Sequence, residues 1–288
     1  MSLDIRKKAS ADLISKSMPL VSVIVPTLNS ERYLESCLTT IRKQTYPHIE
    51  IIVVDNHSKD RTMSIASKYA DLCLSGGKER SAQVNLGVKK AHGEFIYRVD
   101  SDFVVEPKVV EEAVSKCTIE GFDAVCVPNT SDASVGYWAA VRKLERDCYA
   151  GDLLNVAARF IRKDAFETIG GFDENLVAGE DYDLHNRLLK YGFRIGEARF
   201  KELHIGEPTQ LSEIALKYNA YGKTIMRFIH TNREKAIMQV SPLRPAFVRN
   251  RRKFALNLKL TLGFVIYQLV RYLATCTGVI EALFDNAN

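Results

Sequence analysis

The pattern of apolar and polar residues in the first 130 residues predicts a sheet. Five short, mostly apolar runs are typical of buried strands: residues 21–27, 49–56, 71–75, 94–101 and 123–129. Between the runs, apolar residues recur at helical spacing, as Leu34, Leu38 and Ile41 do. Strands that alternate with helices indicate an α/β fold, with a mostly parallel central sheet and helices on both faces.

The pattern becomes less regular after residue 130. It predicts a helix over residues 135–150, a strand over 155–163, and a loop that leads into a helix over 170–192. It then predicts one strand over residues 193–208 and a long amphipathic helix over 209–230.

Composition places few limits on function. The chain has 288 residues, 46% apolar and 26% charged, which suits one large soluble domain with extensions. Its net charge of +5 is too small to indicate nucleic-acid binding. The six cysteines are dispersed without a CxxC motif, so we expect reduced thiols in a cytosolic compartment. The first 20 residues are basic and polar, and we expect no secretory signal peptide there.

Polar residues stand at the ends of three predicted strands. Thr27 ends the first, Asp55 lies at the end of the second, and Asp100 and Asp102 follow the fourth. Ligands of parallel sheets bind at the carboxyl ends of the strands, so we expect these side chains to line one cleft. Two acids at i and i+2 of an extended segment share a face, which suits a cation that prefers oxygen ligands. A solvated turn or a helix cap before Pro107 is the alternative.

Five stretches of the chain match one known family in order: VSVIVPTLN, IIVVDNHSKD, QVNLGVKKAHGEFIYRVDSD, IGGFDENLVAGEDYDLHNRL and LHIGEP. On these stretches the chain resembles the family 2 glycosyltransferases of the GT-A fold. The resemblance implies a hexosyltransferase that moves one sugar, with inversion, from a UDP- or GDP-sugar to an acceptor hydroxyl. It also implies a divalent cation, Mn²⁺ or Mg²⁺, that neutralises the charge of the leaving diphosphate.

The resemblance assigns roles on the donor side. It implies that Asp102 binds the metal, that Asp100 contacts the metal or the ribose, and that His204 reaches the metal or the diphosphate. A lone histidine is usually structural, which is the alternative for His204. Asp55 is expected to accept a hydrogen bond from the nucleotide base, unless it only caps the loop that follows it. The expected donor site is completed by Pro26, Thr27, Lys78, Arg80 and Ser101.

The segment of residues 76–87 departs from the family's pattern. Many relatives carry an arginine where this chain has Val84. We expect Arg80 to meet the diphosphate instead, together with Lys78, as charge-assisted hydrogen-bond donors. A solvated basic loop is the alternative.

The acidic cluster GEDYDL at residues 179–184 lies on the expected acceptor side. The resemblance implies that Asp181 is the general base that takes the proton of the acceptor hydroxyl, and that Glu180 orients the acceptor or the loop. Acids in the first turn of a helix are also favoured by the helix dipole, which is the alternative explanation.

The C-terminal pattern predicts association with a membrane. Residues 254–284 are mostly apolar but contain Lys259, Arg271 and Glu281, and residues 244–253 carry five basic groups and no acid. This combination favours a helix that lies in the membrane interface over one that crosses it. Packing on the catalytic domain, or against a second subunit as a homodimer, are the alternatives.

We therefore divide the chain into four regions. These are an N-terminal extension (1–19), a nucleotide-sugar-binding half (20–130), an acceptor-binding half of the same domain (131–232), and a basic segment with amphipathic helices (233–288). The expected acceptor is a glycan or polyprenyl-linked precursor at the cytoplasmic face of the membrane.

Rival functions lack their own motifs. A nucleotidyltransferase normally has a glycine-rich loop with arginine after its first strand, and a dehydrogenase has GxGxxG there. Neither occurs, and the QxxRW motif of processive synthases is also missing. A non-catalytic protein that binds nucleotide sugars remains an open alternative.

Overall fold

The computed structural model describes residues 18–285, so the predicted N-terminal extension lies almost wholly outside the described residues. The strands are β1 (Val21–Thr27), β2 (Ile49–Asp55), β3 (Leu72–Ser75), β4 (Phe95–Arg98), β5 (Phe103–Val105), β6 (Ala124–Cys126), β7 (Asn129–Ser131), β8 (Ala158–Arg162), β9 (Ile195–Glu197) and β10 (Glu202–His204). The helices are α1 (Leu34–Arg42), α2 (Thr62–Tyr69), α3 (Arg80–Lys90), α4 (Val109–Thr118), α5 (Tyr137–Arg146), α6 (Lys163–Thr168), α7 (Glu180–Lys190), α8 (Leu211–Thr231), α9 (Arg233–Val240), α10 (Pro245–Arg249), α11 (Arg251–Ala255) and α12 (Leu258–Asp285).

The large sheet has seven strands in the order β3-β2-β1-β4-β8-β6-β9. β1 is buried over its whole length and pairs in parallel with β2 and β4. β8 runs antiparallel to both of its neighbours, β4 and β6. The predicted α/β fold with a mostly parallel sheet is thus confirmed, and the carboxyl ends of β1, β2 and β4 lie side by side.

Helices cover both faces of this sheet, because side chains alternate between the faces along each strand. Val23 and Val25 of β1 belong to the cluster formed with α1 and α4, whereas Ile24 belongs to the cluster formed with α3 and α7. Phe95 of β4 stacks on Phe160 of β8 with ring centroids 5.2 Å apart. Burial of each such side chain contributes about 1.5–3 kcal/mol, which holds the strand ends in place.

Two predicted strands are each divided in the structure, and the single strand predicted for residues 193–208 is therefore wrong. β6 and β9 pair in the large sheet, whereas the later parts of the same runs, β7 and β10, pair in a small sheet of order β5-β10-β7. Pro128 stands between β6 and β7 and has no backbone N–H to continue a ladder. Its carbonyl accepts a hydrogen bond from the N–H of Glu202 instead. The divergence directs His204 away from the large sheet.

The C-terminal helix α12 packs along α8 and α5, so the packing alternative named for it is correct. A Cβ atom built on Gly222 of α8 would lie 2.2 Å from the carbonyl oxygen of Thr275, and one built on Gly278 would lie 2.0 Å from that of Asn219. Only glycine permits backbones to approach this closely. Among the described residues, α12 is also the one helix that is long and apolar enough to cross a membrane, a criterion that rests on length and composition alone.

The basic segment is only partly available to a membrane. Arg244 is 3% exposed, and its guanidinium donates to the hydroxyl of Tyr149 at 2.7 Å. Of the five basic groups in residues 244–253, Arg244 is therefore not available to lipid headgroups. Arg249 is exposed but pairs with Asp152 at 3.0 Å. The other basic residues of the segment, Arg251, Arg252 and Lys253, are exposed. All six cysteines are free thiols.

Candidate active site

Two adjoining pockets lie beyond the carboxyl ends of the central strands. The first, which we call the strand-end pocket, has a volume of about 290 Å³ and is bordered by β1, by the loop before α3, and by the loop after β4. The second, the helix-side pocket, has a volume of about 340 Å³ and is bordered mainly by α5, α8 and α12. The two pockets share five residues: Arg80, Asp100, Asp102, Glu180 and Tyr221.

Most of the predicted site residues meet here. The strand-end pocket is lined by eight of them: Pro26, Thr27, Lys78, Arg80, Asp100, Ser101, Asp102 and Glu180. Asp181 and His204 line the helix-side pocket. Asp55 lines neither pocket.

Asp102 and His204 form a pair that suits a divalent cation. Oδ2 of Asp102 lies 2.9 Å from Nε2 of His204, and Nδ1 of His204 lies 2.9 Å from Oε1 of Glu207. β10 sets this arrangement, because it pairs with β5 so that His204 is opposite Phe103, the residue after Asp102. A histidine whose second ring nitrogen faces a carboxylate is the usual form of a metal-binding histidine. Burial raises the pKa of Asp102, but the hydrogen bond with His204 and the charges of His204 and Lys217 together outweigh burial and lower it.

The residues present therefore fit a cation with one oxygen and one nitrogen ligand from the protein, which Mn²⁺ accepts more readily than Mg²⁺ does. Within residues 18–285, no group of three or more His, Cys, Asp or Glu side chains is arranged to hold a metal. A site of two protein ligands is consistent with this, since Mg²⁺-type sites use one or two carboxylates and complete their shell with phosphates and water.

Asp100 has different surroundings from those predicted for a metal or ribose ligand. Its carboxylate accepts hydrogen bonds from Arg98 at 3.0 Å and from Arg159 at 3.1 Å, and Arg80 lies 3.7 Å away. Burial raises the pKa of Asp100, but these three guanidinium groups outweigh burial and hold it well below its usual range. Because its oxygens are already engaged by cations, Asp100 is the centre of an ion-pair network, and Asp102 is the acid left for a metal.

The network extends to the acids at the start of α7. Gly179 precedes the helix with a φ of +79°, a left-handed conformation that glycine adopts without strain. Glu180 pairs with Arg80 at 2.7 Å, and burial raises the pKa of Glu180. Asp181 forms a close ion pair with Arg98, and its side chain remains 26% exposed. Both acids line the helix-side pocket, and Asp181 is the more exposed of the two.

Asp55 holds its own loop. Its carboxylate is 1% exposed and accepts hydrogen bonds from the hydroxyl of Thr27 at 2.9 Å and from the backbone N–H of Ser58 at 2.8 Å. This geometry matches the loop-capping alternative. The next residue, Asn56, lines the strand-end pocket and donates its side-chain amide to the carbonyl of Lys78 at 2.8 Å. The predicted contact of Asp55 with a nucleotide base stays a prediction.

Several residues of this site were not predicted from the sequence. Arg98 and Arg159 lie inside apolar strands, where an arginine is rare unless it is paired. Arg159 also donates to Glu202 at 3.1 Å, and the hydroxyl of Tyr97 donates to Glu202 at 2.6 Å. The two arginines could have been noticed in the sequence, because each places a charge in an otherwise apolar run, FIYRVD or ARFIR. Tyr221 and Lys217 could not be recognised as site residues, because helical spacing does not distinguish a side chain that lines a pocket from one on the surface.

Comparison with known proteins identifies the family. The sequence profile described as glycosyl transferase family 2 matches residues 22–170, which is more than half of the chain. The chain belongs to glycosyl transferase family 2. Glycosyltransferase AglE of Haloferax volcanii is 26% identical over 198 residues, covering 63% of this chain and 65% of AglE. The chain thus spans less than two thirds of the length of this relative.

Solved structures show the same GT-A fold. The mannosyltransferase PcManGT of Pyrobaculum calidifontis, solved in complex with GDP-Man and Mn²⁺, aligns with a TM-score of 0.62 and 17% identity, over 93% of this chain and 88% of that protein. Residues 1–349 of TarS from S. aureus, solved with UDP-GlcNAc, align with a TM-score of 0.54 and 19% identity, over 90% of this chain and 81% of the other. At this level of identity the likeness concerns the fold.

The ion-pair network predicts that the two acids of this family 2 glycosyltransferase differ in their effect on stability. Asp100→Asn should lower the free energy of unfolding by about 3 kcal/mol, because Arg98 and Arg159 each lose a buried partner. Asp102→Asn should lower it by only about 1 kcal/mol, because an amide oxygen can still accept from His204. Urea denaturation followed by circular dichroism measures both. Equal losses, or a larger loss for Asp102→Asn, would contradict the assigned roles.

Proposed function

We propose that the chain is an inverting glycosyltransferase that moves one sugar from a UDP- or GDP-sugar to an acceptor hydroxyl. The observation that carries this proposal is the junction of the two pockets. The strand-end pocket holds the donor and the helix-side pocket holds the acceptor, so that the anomeric carbon lies at the border formed by Asp100, Asp102 and Glu180. Family membership supports the reaction class, and relatives solved with GDP-Man or UDP-GlcNAc support the donor class.

The donor's base lies between Pro26, Thr27 and the loop that Asp55 holds. The diphosphate is met by Lys78 and Arg80, of which Arg80 has a buried Nε without a hydrogen-bond partner in the described chain. Ser101 lines the same pocket and donates to the hydroxyl of Ser30 at 2.9 Å. These contacts orient the donor so that the sugar points toward the helix-side pocket.

Asp102 and His204 would hold a divalent cation at the diphosphate. A bound cation there would neutralise the negative charge that develops on the leaving nucleoside diphosphate. Glu207 lies 2.9 Å from Nδ1 of His204, so with a cation bound at Nε2 the imidazole proton would be carried by Nδ1.

Asp181 is the general base of the proposal. It removes the proton of the acceptor hydroxyl as that oxygen attacks the anomeric carbon, and the sugar–phosphate bond breaks on the opposite side. Arg98 fixes the orientation of the carboxylate through their ion pair. Glu180 lies beside it and holds Arg80, which ties the position of the base to the donor pocket.

The acceptor is a lipid-linked or glycan precursor, and the enzyme sits on the cytoplasmic face of a membrane. Of the 22 large apolar residues that are exposed in the described chain, 16 lie between residues 211 and 285. Leu262, Leu269 and Leu273 of α12 are 58–67% exposed, whereas Arg271 of the same helix is turned inward to Glu145 at 3.0 Å. The helix therefore packs its polar side on the protein and presents an apolar side, next to exposed basic groups that attract anionic lipid.

The metal role of Asp102 predicts the outcome of a direct assay of nucleotide release from a panel of UDP- and GDP-sugars. Asp102→Asn should abolish transfer and the thermal stabilisation that UDP or GDP gives with Mn²⁺, because the cation loses its charged ligand. The parent protein should lose transfer in excess EDTA and regain it when Mn²⁺ is restored. Asp164→Asn, which changes an exposed acid outside both pockets, is the control. Unchanged turnover of Asp102→Asn, or full activity in EDTA, contradicts the role.

The role of Asp181 predicts a loss of rate without a loss of donor binding. Asp181→Asn should lower kcat by about 10²–10⁴-fold, the usual contribution of a general base. The affinity for the donor nucleotide, measured by isothermal titration, should change little, because Asp181 lines only the helix-side pocket. A folded Asp181→Asn protein that keeps the parent's kcat would mean that the acid only stabilises the start of α7.

The exposed apolar side of α12 predicts binding to anionic vesicles. The triple variant Leu262→Glu, Leu269→Glu, Leu273→Glu should keep the fold, since these side chains are exposed, and should lose sedimentation with vesicles of phosphatidylglycerol and phosphatidylcholine. The control is Ile119→Glu, which changes an exposed apolar residue just after α4. If the parent ignores vesicles at low salt and sedimentation equilibrium shows a dimer that the triple variant lacks, the face belongs to a homodimer instead.

A further inference from the structure

The helix-side pocket contains a second group of buried charges, separate from the network around Asp100. The carboxylate at the centre of this group is Glu145 of α5, which is 1% exposed. Glu145 forms a close ion pair with Arg142 and a second ion pair with Arg271 of α12 at 3.0 Å. It also accepts a hydrogen bond at 2.8 Å from the hydroxyl of Tyr149, which in turn accepts one from Arg244. Three arginines from three helical segments therefore converge on one acid.

Lys217 of α8 adds a fourth cation to the lining of this pocket. It is partly buried, and within the described part of the chain it makes neither an ion pair nor a hydrogen bond; its closest aromatic contact is the ring of Tyr221 at 6.0 Å. Its ammonium interacts electrostatically with Tyr221 and Tyr218, and with the carboxylates of Glu207 and Asp102. Lys217 thus lies between the proposed metal pair and the arginine group.

The pKa of Tyr218 indicates a positive electrostatic potential around its side chain. Burial raises the pKa of this tyrosine, but Arg271, Arg142 and Lys217 together outweigh burial and lower it to about 8. Arg271 also lies over the Tyr218 ring at 5.0 Å from its centroid. A buried phenol whose anion is stabilised in this way marks a site where negative charge is favoured.

The four cations outnumber the two nearest buried carboxylates, Glu145 and Glu207, which leaves an excess of positive charge in a partly enclosed pocket. Placing uncompensated charge away from water is costly, so a protein keeps such an arrangement where an anion balances it. Arginine forks match the oxygens of a phosphate, and a phosphate ester carries up to two negative charges, which suits the excess better than a single carboxylate does. The network around Asp100 is different, because its three arginines are matched by acids within the protein.

We infer that the helix-side pocket binds a phosphate group on the acceptor, through Lys217 and the arginines around Glu145. This inference rests on the proposed function, in which the same pocket takes the acceptor. The phosphate comes either from a lipid phosphate, whose chain would leave along the apolar side of α12, or from a soluble polyol or sugar phosphate. Since Arg271 belongs to α12, this helix completes the acceptor site in addition to its role at the surface.

The first test measures binding and needs no turnover. Isothermal titration with methyl phosphate is carried out on the parent and on Lys217→Met, which removes a cation without stranding a paired acid. Loss of one charge-assisted contact should raise the Kd for methyl phosphate about tenfold, and Lys217→Arg should restore it. Lys223→Met removes a cation of the same helix outside both pockets and should bind as the parent does. Thermal melting verifies that each variant is folded.

Lys78→Met distinguishes the two pockets, because Lys78 lines only the strand-end pocket. If Lys78→Met loses methyl phosphate while Lys217→Met keeps it, the binding belongs to the donor site and the inference is overturned. It is also overturned if the parent binds no methyl phosphate.

The second test compares acceptors of matched chain. A short polyprenyl phosphate, the corresponding polyprenol, and a soluble ribitol phosphate are offered with the donor that the panel identifies. Phosphorylated acceptors should show a KM at least tenfold lower than the alcohol, and this advantage should shrink in Lys217→Met. Preference for the lipid or for the soluble phosphate identifies the source. Equal use of alcohol and phosphate overturns the inference. Lys217-dependent phosphate binding without any sugar transfer overturns the proposed function and supports the phosphate site.

Discussion

The ion pair between Arg98 and Asp100 is the constraint on which the site depends. Arg98 ends β4 and is 3% exposed, in a place where an unpaired charge would cost several kcal/mol. Its guanidinium joins Asp100, two residues later on the same segment, to Asp181 at the start of α7. From Asp100 the charges continue through Arg159 to Glu202 of the small sheet. One alternating row of charges therefore fixes the relative positions of β4, β8, α7 and β10.

This row of charges also gives Asp100 and Asp102 different surroundings. Because Asp100 is surrounded by guanidinium groups, its charge is already compensated within the protein. Asp102 instead lies against His204, which the small sheet delivers to it, and its side chain remains 33% exposed. The small sheet exists because β6 and β9 each end where the chain turns away from the large sheet. The division of these two strands thus places His204, the second ligand of the proposed metal site, beside Asp102.

The C-terminal helix α12 contributes both to the helix-side pocket and to the protein surface. α12 lies close enough to α8 that glycine is needed at the contact, and its polar side carries Arg271 into the helix-side pocket. Its other side is apolar and exposed. A helix with this distribution cannot be removed as a simple anchor, because the pocket would lose part of its wall and Glu145 would lose an ion-pair partner. The proposed acceptor site and the proposed membrane-facing side would therefore both depend on this one helix.

The sequence by itself determined the strands of the large sheet, the helices on both faces, and which residues stand at the strand ends. It could do so because these properties follow from local periodicity, and because Asp100, Asp102 and the GEDYDL segment occur in a family order. It also indicated that charged residues interrupt the apolar run of residues 254–284. Only the tertiary structure decided that Asp100, and not Asp102, is surrounded by arginines, because Arg159 is 59 residues away from Asp100 in the chain. Three further features could not be predicted for the same reason: the division of the strand over residues 193–208, the hydrogen bonds of Asp55 to Thr27 and to its own loop, and the side of α12 that faces the protein. Each depends on a residue that is distant in the chain.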